Sequence, residues 1–99
     1  MEAEQTAVQF VEEWARPGLS EAQWFAALQQ LAAPTYEATL ENEEPWRVPA
    51  HRVTGSPTGH GDADGASVTV PTDAGPELVM LTHQESTWLV TDVEPAPTG

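Results

Sequence analysis

The order of apolar and polar positions divides the chain into two textures. In the first, Ala7, Phe10, Val11 and Trp14 recur at i, i+3, i+4 and i+7, the spacing of one buried helical face. Glu12 and Glu13 lie off that face. Pro17 and Gly18 end this helix. Ser20 then stands as an N-cap with Gln23 three residues on, the pairing of a capping box. A second helix follows, with Trp24, Leu28 and Leu31 as its seam and Phe25 beside it. Pro34 interrupts the pattern and opens a short third helix, Thr35 to Glu41, that buries Tyr36 and Leu40.

From Glu41 the texture changes. ENEEP is a solvated acidic turn, and from Trp46 onward the period falls to two. HRVTG begins a strand, and ASVTV alternates Val68 and Val70 against Ser67 and Thr69. ELVML and TWLVTDV are apolar on both faces, which suits central or doubly covered strands. SPTGHGDADG reads as a flexible connection, while PTDAG and HQES are short turns that make neighbouring strands antiparallel. Helices first and strands after, with no β-α-β alternation, predict an α+β fold: two or three N-terminal helices packed on a four-stranded antiparallel meander. Residues 1–95 form a single domain, and Pro95 and Pro97 close the chain as a tail that takes in residues 96–99.

Composition agrees with one domain: 99 residues, 39% hydrophobic, with four tryptophans to build a core. The chain has no cysteine, so it holds no disulfide and no thiolate site. Charge changes the picture more. Three arginines and no lysine stand against sixteen acidic residues, a net charge of −13. Phosphate backbones and anionic membranes repel such a surface, which weighs against direct nucleic-acid binding. An acidic face suits a basic partner, or imitates DNA towards a DNA-binding protein. No apolar run approaches the ~20 residues of a membrane span. The start, MEAEQTAVQF, lacks the basic and apolar parts of a signal peptide. The chain therefore reads as soluble, standing alone or behind an anchor.

HGDADGA, His60 to Ala66, is the segment that most resembles chemistry. Setting His60 at position 1 of a calcium-binding loop puts Asp62, Asp64 and Gly65 at positions 3, 5 and 6. Position 12, which must supply a bidentate Glu, is then Pro71, and a strand follows where a helix is required. Asp and Gly also favour chain reversal between strands, so the segment reads as a turn. His51, His60 and His83 show no helical zinc spacing, and no nucleophile or phosphate-loop motif occurs. The expectation is a domain without catalytic residues, metal or cofactor. Trp14, Trp24, Phe25, Tyr36, His51 and Trp88 are candidates for the core, or for an apolar pocket between helices and sheet. Trp46 beside Arg47 is a candidate partner anchor, because Trp and Arg dominate interface energetics.

FVEEWARP, PAHRVTG, VTVPTDAG and STWLVTDVEPA, on helices followed by strands, carry a family resemblance. The chain resembles the nuclear transport factor 2-like (cystatin-like) superfamily over about residues 5–95. More narrowly it is similar to small actinobacterial domains related to conjugative-transfer assembly proteins. That resemblance implies a strongly curved meander and scaffolding of a conjugation or type IV secretion channel; in those proteins the domain sits outside the membrane behind an anchor, a feature not carried over to this sequence. It transfers no catalytic residue to any position here. The leading expectation is a non-enzymatic interaction or assembly domain that binds a protein partner or itself, since exposed strand edges invite a further strand. Two alternatives stand beside it: a small-molecule binder or enzyme using the cone-shaped cavity, and an acidic phage or mobile-element protein that blocks a nucleic-acid-binding factor.

Overall fold

The computed structural model describes residues 2–15, 20–40 and 52–96. Three helices, α1 (Glu2–Trp14), α2 (Glu21–Gln29) and α3 (Pro34–Leu40), precede four strands, β1 (Thr58–Gly61), β2 (Gly65–Val70), β3 (Glu77–Gln84) and β4 (Thr87–Pro95). The strands pair in sequence order, β1-β2-β3-β4, and every pairing is antiparallel. The α+β arrangement, helices first and a meander after, is the one the periodicity predicts.

Local chemistry sets the helix ends. The Ser20 hydroxyl accepts the Gln23 N–H while the Gln23 side-chain oxygen accepts the Ser20 N–H, each at 3.2 Å, which closes the capping box. The second helix is shorter than its apolar seam suggests. It ends at Gln29, so Leu31 lies beyond it. Pro34 disfavours helical backbone in the residue before it and provides no N–H. The link 31–33 instead lies beside β4. The Val90 N–H donates to the Leu31 carbonyl and the Ala33 N–H donates to the Val90 carbonyl, both at 2.8 Å, forming a parallel bridge between Ala32 and Val90. Pro34 then opens α3, whose first turn returns the Tyr36 and Glu37 N–H groups to the Ala33 carbonyl. Glu41, the expected end of that helix, lies outside the described residues.

The first strand sits later in the chain than the sequence suggests. Of HRVTG, Val53 makes only an isolated bridge to Thr72, and the strand proper is Thr58–Gly61, inside the segment expected to be a flexible connection. Prolines explain the interruption. Pro57 directly precedes β1 and Pro71 directly follows β2, and neither can donate to a ladder. At the far end, β4 runs through Pro95, which pairs with Glu77, and the Ala96 N–H donates to the Pro76 carbonyl. Between Met80 and Leu81 the β3–β4 register shifts, leaving Thr91 as an extra residue. Such a bulge bends the strand and increases its twist.

One face of the sheet carries the core. Cross-strand partners share a face, so the inward rows include Val70, Glu77 and Pro95, then Gly59, Val68, Val79 and Val93, then Gly61, Ala66, Leu81 and Val90. Against them lie Ala3, Ala7, Phe10, Val11 and Trp14 of α1, Trp24 and Leu28 of α2, and Tyr36 and Leu40 of α3, all buried. All four positions of the α1 pattern, Ala7, Phe10, Val11 and Trp14, are buried, and Ala3 extends the same face by one turn.

Candidate functional site

The two loops nearest the open side of the sheet are tight hairpin turns. At the first, Asp62 Oδ1 accepts the N–H groups of Asp64 (2.9 Å) and Gly65 (3.1 Å), and the Asp62 N–H donates to the Gly65 carbonyl. This is an Asx-type turn, as HGDADGA suggests. The two donated N–H bonds hold the Asp62 carboxyl below its usual range. Among the described residues, no group of three or more histidine or acidic side chains gathers in a metal-holding arrangement. At the second turn, Glu85 and Ser86 both adopt positive φ, 49° and 67°, the backbone of a two-residue hairpin made without glycine.

His83 connects the two hairpins. Its main-chain N–H donates to the Asp64 carbonyl at 3.0 Å, and its Nδ1–H donates to the Ala63 carbonyl at 3.0 Å. The imidazole also stacks on its cross-strand partner Trp88, with centroids 4.6 Å apart and planes 19° apart. A β3 residue thereby holds the β1–β2 tip against the sheet.

The candidate aromatic residues divide by environment. Trp24 is fully buried, and its indole N–H donates to the Trp14 carbonyl at 2.9 Å. Tyr36 packs against Phe10 with ring centroids 5.9 Å apart. Trp14 is also buried, and its indole nitrogen has no hydrogen-bond partner among the described residues. These three fill the space between helices and sheet. Phe25 and Trp88 are half-buried at the margin of that core, so Trp88 is less enclosed than its inward position suggests. Phe25 lines a cleft of about 390 Å³ with Glu21, Ala22, Trp24 and Leu40. His51, Trp46 and Arg47 lie outside the described residues.

The face that sequence reasoning missed is the outer one. Register gives three outward rows: Thr58, Thr69, Leu78 and Glu94; His60, Ser67, Met80 and Asp92; and Gly65, Thr82 and Leu89. Leu78 and Leu89 are half-buried and Met80 is 38% exposed. None of the three belongs to the core or packs against it. A shallow groove of about 500 Å³ runs from His60 and the turn carboxylates Asp62 and Asp64 past Ser67 to Met80 and Thr91. Two-sided apolar text in β3 and β4 predicts cover on both faces. Among the described residues, only the inner face has it. The signal was therefore present in the sequence, as apolar outward positions, and was absorbed into the expectation of a doubly covered sheet.

Among the described residues, Glu77 is the buried acid. It begins β3, points inward between Val70 and Pro95, and is 4% exposed. Burial alone pushes its carboxyl pKa above the ordinary value. The folded state therefore binds this proton more tightly than the unfolded chain, so Glu77 lowers stability as pH rises through its folded pKa. Glu77→Gln is expected to raise the melting temperature by a few degrees at pH 7. That gain disappears in melts run below the unfolded value, where both states hold the proton. An equal gain at every pH would mean that the carboxylate charge is not responsible.

No helix among the described residues is long and apolar enough to cross a membrane. No protein-family model, curated protein or solved structure matches the chain significantly.

Proposed function

We propose that the chain is a non-enzymatic protein-interaction domain that docks its partner on the open face of the sheet. The observation that carries this reading is the set of outward apolar side chains, Leu78 and Met80 on β3 and Leu89 on β4, on strands whose inner face is already buried. Apolar side chains on both faces of a strand gain from cover on both. The interior supports the same reading over a small-molecule site. Phe10, Trp24 and Tyr36 are buried and fill the space between helices and sheet. Membership of an actinobacterial conjugation or envelope assembly is the setting that the resemblance to conjugative-transfer domains suggests for such a module.

The test is affinity isolation from the source cell with the wild-type chain and Met80→Ser side by side. Met80 is exposed, so its replacement leaves the core intact and the melting temperature near that of the wild type. A protein recovered by the wild type and lost with Met80→Ser is the expected result. Equal recovery with both would rule the open face out as the docking site.

A further inference from the structure

The open face also specifies the chemistry of what covers it. Its centre is apolar, with Met80 between Leu78 and Leu89, and carboxylates stand on two sides. Asp92 and Glu94 are exposed on β4 and are the direct cross-strand partners of Met80 and Leu78. On the opposite side, the exposed Asp62 and Asp64 line the groove that reaches Met80. No lysine or arginine occupies any of these positions. Among the described residues Arg52 is the one such cation, and it sits at the Thr72–Gly75 turn, where its main chain bonds Asp73.

The dimensions limit the occupant further. Neighbouring strands lie about 4.8 Å apart and residues two apart on one strand lie about 6.8 Å apart. Four strands and three rows therefore offer a patch of about 14 by 14 Å, the width of one helix or one extended segment. A second copy of this chain is a poor occupant, because it carries the same rim and the same net charge of −13. Nucleic acid and anionic lipid are repelled for the same reason.

We infer that the partner, on the interaction reading above, is a basic segment of another protein. It presents an apolar residue over Met80 and lysine or arginine side chains towards Asp92 and Glu94 on one side and Asp62 and Asp64 on the other. The apolar centre provides contact area, and the carboxylate rim selects sign and speeds encounter.

Two synthetic peptides of equal length test this. Both carry the same central leucines; one bears lysine at the flanking positions and the other glutamine. Titration into 15N-labelled protein at about 50 mM salt is expected to shift the amides of Ser67, Met80 and Asp92 with the lysine peptide. The glutamine peptide should bind about tenfold more weakly, a gap that narrows as salt is raised to about 500 mM. The double variant Asp92→Asn, Glu94→Gln keeps side-chain shape and should remove most of the lysine preference while leaving the melting curve near wild type. Binding of both peptides with equal strength, abolished by Met80→Ser, would leave the docking face standing and overturn the basic partner. Shifts confined to other surfaces, or no shifts at millimolar peptide, would overturn this inference. Lysate capture sensitive to Met80→Ser but insensitive to Asp92→Asn, Glu94→Gln would overturn it as well, without touching the interaction reading.

Discussion

Trp24→Ala is expected to cost about 3–5 kcal/mol, the range for removing a large buried aromatic side chain. The indole is fully buried and packs within the cluster formed by α1, α2 and the inner sheet face. Its N–H also donates to the Trp14 carbonyl, in the last turn of α1, where helical carbonyls have no partner within the helix. The substitution therefore leaves a cavity and removes a cap together. A small domain has about 5–15 kcal/mol of stability in total, so this one substitution removes at least about a fifth of it. Trp24→Phe separates the two effects. It keeps most of the ring volume and loses the hydrogen bond, for an expected loss of about 1–3 kcal/mol. Urea titration followed by circular dichroism measures both. A Trp24→Ala loss below about 1 kcal/mol would be incompatible with α2 packing as described.

Gly61→Val should separate the β1–β2 hairpin from the rest of the sheet. A Cβ at Gly61 would stand 2.6 Å from the Ala66 Cβ, 2.7 Å from the Gly65 carbonyl oxygen and 2.9 Å from the Ala66 Cα. Two of those atoms are backbone, so relief requires the strands to part. The expected cost is about 2–3 kcal/mol, towards the upper end for overpacking because the clash is with main chain. Hydrogen exchange should show lost protection in β1 and at the Asp62–Asp64 turn, with β3 and β4 retained. Partner binding should fall further than global stability, because His60, Asp62 and Asp64 line the docking groove and depend on this hairpin. Uniform loss of protection across all four strands would show that the hairpin is not a separable unit.

Much of this architecture is legible from local chemistry. The i, i+3, i+4, i+7 pattern from Ala7 to Trp14 identifies the buried face of α1, and Ser20 with Gln23 identifies the start of α2. The Asp62 turn is equally plain, because one carboxylate accepting two N–H groups is a local event. What the sequence obscured depends on partners distant along the chain. Leu31 continues a helical seam, yet Pro34 and the main-chain hydrogen bonds offered by β4 at Val90 draw residues 31–33 out of the helix. Thr58–Gly61 has two glycines and little β propensity, and it becomes a strand only because β2 supplies a ladder. The outer face shows the same limit. Leu78, Met80 and Leu89 are apolar in any reading, but periodicity cannot tell whether the chain itself or another molecule lies over them.

The bridge between Ala32 and Val90 bears on how this protein can aggregate. A strand arriving at β4 would first have to displace the helix-to-helix link that already occupies the main-chain groups of Val90. Stacking of copies edge to edge needs two receptive sides, and here one is obstructed. Each step of sheet extension through β4 would therefore have to give up the two main-chain hydrogen bonds at Val90.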